Sequence, residues 1–453
     1  MDRFGILTYS VGSRFGDDLI LKTLCLPWPT QRIYFMTKRL LVCASLQFWL
    51  VSCVGFAAEL PMAKPDEVGM SAEKLAKVDA VMSDLVKEKK LAGSIVMIAR
   101  RGKIVHLRSE GLMDIEANKP MRDDAIVRIY SMSKSITTAA ALVLCDEGKL
   151  GLDDPASKHL PEMKGCTVQG KDGPFAPARE MTVRDLMLHT SGLSYGGSAN
   201  EAANKLYREA NVMDSKTTLS DMTTKLGRVP LAFEPGTDWT YGVSTDVLGR
   251  VVEVVSGQSL DEFFQQRIFQ PLDMKDTSFF VPAEKSDRFA TNYTSDGKGK
   301  LTLLDAPATS SYLKSPKLLS GGGGLVSTGR DYMRFLMMVA RGGELDSVRV
   351  LSDKTVRLMT TNQVPESIGW IKFGSQIREG VGFGLGFSVR AKMSDWDPQG
   401  RVGEYGWGGA ASTHYWTSPK DDLIVITLEQ TMPYSFLTEF AVKGLIYDAI
   451  IER

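Results

Sequence analysis

The sequence predicts an α/β (α+β) fold in which strands from both ends of the chain build one domain around a mainly helical middle. Three observations predict it. Short apolar runs of strand character fill residues 93–111. Helical signals broken by Pro/Gly loops dominate from about 150 to 285. Strand signals return beyond about 320, flanked by two helices. Residues 60–130 and 285–453 are expected to form the α/β domain, and 131–284 the helical one.

The elements follow in order. Ser71, with Glu73 and Lys74, opens a helix reaching about Lys90. Gly93 to Ala99 and Ile104 to Gly111 read as a hairpin around Arg101-Gly102-Lys103. Ala125 to Tyr130 is strand-like, and Ser135 to Leu144 reads as a buried helix ending near Gly148. The middle offers helices at Val183–Leu188, Ala202–Leu226, Thr245–Val255 and Leu260–Phe269. Later, Val381–Val389 and Leu423–Leu428 are β-like, with helices at Arg330–Ala340 and Ser435–Ile451. Gly321 to Gly324 lacks the Lys-Ser/Thr of a phosphate loop. It reads as a strand edge where backbones approach closely, followed by Thr328 capping a helix with Asp331 at its third position.

Composition narrows the function classes. With 54 basic and 54 acidic side chains the net charge is zero, whereas a nucleic-acid-binding surface normally shows a basic excess. Hydrophobic residues at 43% and charged residues at 24% describe a folded protein rather than a disordered one. Four histidines and five cysteines, scattered, form no zinc-site pattern. Cys145 and Cys166 could pair, but two cysteines make no disulfide framework.

The first sixty residues read as a targeting region. Residues 1–35 show no period and look like an upstream extension ahead of a natural start at Met36. Lys38-Arg39, the apolar run Leu40–Leu50 and small residues near Gly55-Phe56-Ala57 then form a signal segment, residues 36–58. The run is too short for a comfortable membrane span. Leu50-Val51-Ser52-Cys53 also fits a bacterial lipobox, with Cys53 as the lipid anchor. Either pattern predicts an exported protein, periplasmic or secreted.

Three serine arrangements compete for the role of nucleophile. Ser131-Met132-Ser133-Lys134 is an S-x-x-K, whose spacing puts both side chains on one helical face. A helix N-terminus stabilises an attacking alkoxide, and a partly buried lysine can be neutral and accept the serine proton. The same spacing recurs at Ser71/Lys74, Ser295/Lys298 and Ser311/Lys314. Ser131 stands apart because it lies between a strand-like run and a wholly apolar helix. Gly192-Leu193-Ser194-Tyr195-Gly196 is a G-x-S-x-G, which as a nucleophile elbow needs a strand before it and a helix after it. Here a helical stretch precedes and small polar residues follow, although His414 leaves a Ser–Asp–His order open. Alone, the SMSKS cluster is a plain helix cap. Two further segments speak against that. Glu234-Pro235-Gly236 delivers Tyr241 just before a helix, where a phenolate could act as base; alone, the tyrosine reads as a core or rim residue. Gly406-Trp407-Gly408-Gly409-Ala410 precedes a strand, and a Gly-Gly pair on an edge strand lets substrate approach the backbone and leaves an N–H free for an oxyanion; its plain reading is a tight turn.

In this order these segments resemble the serine β-lactamase and penicillin-binding-protein superfamily, most of all class C β-lactamases and the family VIII carboxylesterases that share their fold. The resemblance spans nearly all of residues 65–450. It includes the S-x-x-K, Leu186–Leu193, Glu234–Gly242, Ile268–Phe279, Gly321–Thr328 and the late Trp-Gly-Gly. It implies a β-lactamase-like fold, an antiparallel sheet flanked by helices with an inserted helical domain. It also implies two-step acyl transfer with no metal or cofactor. Ser131 would be acylated, Lys134 would help deprotonate it and hold the Tyr241 phenol, and Tyr241 would be base and then acid. The N–H groups of Ser131 and Ala410 would form the oxyanion hole, with Val243, Trp407, Gly408 and Gly409 against the substrate. Two departures matter. Val243 stands where the lactamases carry Asn, and Trp407-Gly408-Gly409 where they carry Lys-Thr-Gly. The cation that meets a β-lactam carboxylate is thus expected to be replaced by an apolar wall, favouring neutral substrates. The expected activity is a serine carboxylesterase on small short-chain esters, with weak β-lactam hydrolysis as a side activity. The alternatives are a class C-type β-lactamase or D-Ala-D-Ala peptidase, an acyltransferase, and a non-enzymatic penicillin-recognising sensor.

Overall fold

The structure, a computed structural model, describes residues 59–452. The upstream extension (1–35), the signal segment (36–58) and Cys53 lie outside the described residues.

The N-terminal hairpin forms as β1 (Gly93–Arg100) and β2 (Lys103–Asp114). Arg101 and Gly102, at φ +51° and +70°, make its turn. All of β1 is buried, and its alternation divides two cores. Ile95, Met97 and Ala99 face the core shared with the helical middle, whereas Val96 and Ile98 face a second core. Residues Leu423–Leu428 divide the same way: Ile424, Ile426 and Leu428 on the first side, Leu423 and Val425 on the second. Both strands are continuous apolar runs because neither face meets water.

The other sheet strands are β3 (Lys119–Pro120), β4 (Val381–Phe383), β5 (Ser388–Arg390), β6 (Tyr405–Gly409), β7 (Thr413–Ser418) and β8 (Leu423–Leu428). Their order is β4-β5-β6-β7-β8-β1-β2-β3, and every pairing is antiparallel. Ile95 faces Leu428 and Arg100 faces Leu423, so strands from the two ends of the described chain meet inside the sheet. The single strand expected over Val381–Val389 is two, because Gly386 turns the chain at φ +91°. β6 is interior rather than an edge strand. Its pairing to β5 stops at Gly406, however, so Trp407–Gly409 pair only with β7 and keep one side open.

Helix α1 (Ala72–Lys87) starts at Ser71, whose side chain accepts the Lys74 N–H. It lies on the second core with the C-terminal helix Leu437–Asp448. Facing the first core are α2 (Ser133–Asp146), α3 (Val183–Leu188), α4 (Glu201–Ala210), α5 (Leu219–Leu226), α6 (Ser244–Ser256) and α7 (Gly329–Ala340). The stretch Ala202–Leu226 is split after Ala210 by Asn211 at φ +44°. α2 is buried from Ser133 to Leu144 and packs on α6. Of the strand expected at Ala125–Tyr130, only Val127–Arg128 forms, paired with Val326–Ser327. That pairing brings the glycine run 321–324 beside the start of α2. Cys145 and Cys166 are both free; the pairing allowed for them does not form. No described helix is long and apolar enough to cross a membrane.

Candidate active site

The strand Val127–Arg128 leads into a tight turn, Tyr130–Met132, that runs directly into α2. Ser131 therefore sits at the N-terminal end of a buried helix, and Lys134 follows one turn later with Nζ 3.3 Å from Ser131 Oγ. Tyr130 holds φ +40°, a conformation that costs a bulky residue free energy. Asn292 anchors it by donating to its hydroxyl at 3.1 Å.

Lys134 is 1% exposed. Its ammonium has three N–H donors and three acceptors: the Gly322 carbonyl at 2.5 Å, Tyr195 Oη at 3.2 Å and Ser131 Oγ. The glycine run supplies the first. Asp246, fully buried on α6, accepts the Gly322 N–H at 3.0 Å and the Ser320 hydroxyl at 2.5 Å. A Cβ on Gly322 would stand 2.4 Å from the Asp246 carboxylate, and one on Gly321 would meet Thr137 at 2.9 Å. The run is a turn threaded between α2 and α6, not a strand edge; close backbone approach explains its glycines. Thr328 caps α7 and accepts the Asp331 N–H, as the sequence suggests.

Tyr241 is delivered by the loop through Gly236, at φ +82°. Its hydroxyl lies 2.6 Å from Ser131 Oγ. The motifs lead one to expect Lys134 to hold that phenol. Nζ instead faces the Tyr241 ring, 4.6 Å from its centroid, and gives its hydrogen bonds elsewhere. Trp407 also packs against this ring, with ring centroids 5.5 Å apart. Ser131 and Tyr241 share with Trp407, Gly408, Gly409 and Ala410 the lining of a cavity of about 510 Å³. A Cβ on Gly409 would lie 2.3 Å from the Ile129 carbonyl, so only glycine lets β6 pass this close to the Ser131 turn. Ala410 follows directly, and its N–H serves no hydrogen bond among the described residues.

Not every expected residue arrives. Val243 is fully buried at the start of α6 and is absent from the cavity lining. Ser194 follows α3, not a strand, and is fully buried. Its Oγ accepts the Gly196 and Gly197 N–H groups at 2.9 and 3.2 Å, which makes it a turn cap. His414, the partner an elbow would need, is buried in β7 opposite Thr427, where desolvation pulls its imidazole down to about 4. Sequence reasoning misses Tyr195, although it lies one residue beyond the serine of the elbow motif. It also misses Asp246 and Arg378. Arg378 lines the same cavity against Trp407, 5.9 Å from that ring's centroid. The expectation of an apolar wall without a cation is therefore corrected: the tryptophan is there, and a guanidinium lies on it.

Comparison with known proteins makes the chain a serine hydrolase. The family model for Beta-lactamase matches residues 78–441, and the chain belongs to that family. It is 30% identical to Esterase EstB of Burkholderia gladioli over 383 residues, 80% of this chain and 91% of the relative. It is 35% identical to Protein Rv1367c of Mycobacterium tuberculosis over 354 residues, 76% and 86% of the two chains. Among solved structures, "EstCE1, a hydrolase with promiscuous acyltransferase activity" superposes with a TM-score of 0.70 at 27% identity, covering 83% of this chain and 99% of that one. The β-lactamase-like fold expected from the motifs is the observed one.

Proposed function

We propose that the protein is a carboxylesterase that hydrolyses small esters through an acyl-enzyme on Ser131. The observation that carries this reading is the Tyr241 hydroxyl 2.6 Å from Ser131 Oγ, in a cavity walled by an open-sided Gly-Gly strand. Ser131 Oγ attacks the ester carbonyl carbon while its proton passes to the Tyr241 phenolate. The Lys134 ammonium, facing the ring, stabilises that phenolate. The developing oxyanion takes the Ser131 and Ala410 N–H groups. Tyr241 then returns the proton to the departing alkoxide, and an alcohol leaves. Water, deprotonated by the same tyrosine, attacks the acyl-enzyme carbonyl, and the tyrosine returns that proton to Ser131 Oγ as the acid leaves. Esterase EstB as a relative supports this reading. The promiscuous acyltransferase activity of EstCE1 supports a second one, in which an alcohol replaces water in the last step. Residues 36–58 further suggest export, on sequence pattern alone.

The test is fluorophosphonate labelling of the protein from Met36 onward, with the modified peptide mapped by mass spectrometry. Label is expected on Ser131, and Ser131→Ala should lose both label and turnover of p-nitrophenyl butyrate. Label on Ser194, or turnover surviving in Ser131→Ala, would overturn the proposal. Adding a primary alcohol and measuring ester against acid product separates transfer from hydrolysis.

A further inference from the structure

The cavity that holds Ser131 also holds a cation without a partner. Arg378 directly follows the short hairpin formed by Lys372–Phe373 and Gln376–Ile377. Its guanidinium carbon lies 4.1 Å from the Phe373 ring centroid, 4.9 Å from Phe436, 5.0 Å from Trp396 and 5.9 Å from Trp407. Four aromatic faces flank the half-buried guanidinium without neutralising it, because an arginine keeps its proton in proteins. Burial in this box opposes its charged form, and Glu439 is the carboxylate whose charge favours it.

The carboxylates of the cavity are already engaged. Asp397, Glu404 and Glu439 stand 2.7, 3.1 and 3.2 Å from Lys443 Nζ, and Asp397 also takes Arg390. Among the described residues, no ion pair or side-chain hydrogen bond is formed by Arg378. A guanidinium offers two parallel N–H donors that match a carboxylate. A half-buried cation set among aromatic rings, lining a reaction cavity and left unmatched by the protein, is suited to a charge the substrate brings.

Resting on the esterase reading, we propose that Arg378 is a specificity-determining residue that recognises a carboxylate of the substrate remote from the scissile bond. The substrate class is then an ester carrying a free acid, on either its acyl or its alcohol half. The path from Ser131 through Tyr241 to Trp407 places the recognised acid about one aromatic ring beyond the base. This reverses the preference for neutral esters that the Trp-Gly-Gly wall alone implies.

The experiment compares matched pairs differing only in charge. For the acyl half, the p-nitrophenyl monoester of adipic acid is set against that of adipic monoamide. For the alcohol half, 4-acetoxybenzoate is set against 4-acetoxybenzamide. The quantity read is the acid-to-amide ratio of kcat/KM, in which any general loss of activity cancels. The ratio is expected to exceed about ten in one pair, mainly through KM, and that pair names the half that carries the acid. In Arg378→Gln the ratio should fall by roughly 10- to 100-fold. Arg378→Lys, which keeps charge but not the fork, should fall between. A ratio near one in both pairs for the unaltered protein overturns the inference whatever the variants do. Equal loss on acid and amide in Arg378→Gln does so too, because it would mean that the arginine only pins the hairpin. No turnover of any of the four esters would instead strike the esterase reading beneath it.

Discussion

At the residue scale the site depends on two hydroxyls and one ammonium. Tyr241→Phe keeps the ring in contact with Lys134 and Trp407 but removes the oxygen 2.6 Å from Ser131 Oγ. It should lower kcat by about 10²–10⁴-fold with the melting temperature within a few degrees of the parent, checked by steady-state kinetics and calorimetry. Tyr195→Phe removes one of the three acceptors of Lys134 and a hydroxyl 3.4 Å from Asp246. Tyr195 touches no reacting atom, so its effect is positional: kcat should fall by about tenfold while KM stays near the parent's. A rise in KM alone would show that Tyr195 contacts substrate instead. The S-x-x-K spacing makes Ser131 and Lys134 legible, since three residues on a helix fix where two side chains meet. Tyr195 and Arg378 are not legible. Each reaches the site from a loop or hairpin whose path is set by distant packing, and neither residue type announces its direction.

At the element scale the glycines carry the argument. β6 passes the Ile129 carbonyl so closely that a Cβ on Gly409 would sit at 2.3 Å. Gly409→Ala should push β6 off the Ser131 turn and carry the Ala410 N–H with it. A loss of about 10²–10³-fold in kcat is expected, the scale for removing one oxyanion donor, with little change in the amount of folded protein. Stopped-flow measurement of the acylation burst would locate the loss; an unchanged burst would release Gly409 from this role. Helix α2 and strands β1 and β8 are readable because continuous apolar character survives any tertiary context, and α6 because its apolar residues recur at helical spacing. Val381–Val389 is not, because one glycine at positive φ turns an apolar run into two strands. The open side of β6 is half legible: the Gly-Gly pair signals close approach, but only the sheet register shows where β5 stops.

At the scale of the whole molecule, buried titratable groups set the pH range of stability. Glu429, 1% exposed just beyond β8, takes the Thr438 hydroxyl at 2.6 Å, and desolvation pushes its carboxyl up to about 8. The folded chain holds that proton more tightly than the unfolded chain. Its contribution is therefore full below about pH 4.5 and is lost as the pH rises toward 8. His414 runs the other way: kept neutral, it contributes above its ordinary 6.5 and loses that as the pH falls toward 4. Glu429→Gln should flatten the decline in melting temperature between pH 5 and 8 and leave the acid limb in place; an unaltered decline would assign it to other groups. The order of the sheet has a further consequence, for the chain as it is made. β1 belongs beside β8, yet a ribosome releases Leu423–Leu428 long after Gly93–Arg100. Until then the nascent hairpin carries an apolar strand with one bare edge, and the pairing that closes it spans most of the chain. Folding of this sheet thus waits on the synthesis of β8, and a chain clipped before β8 is the form expected to aggregate.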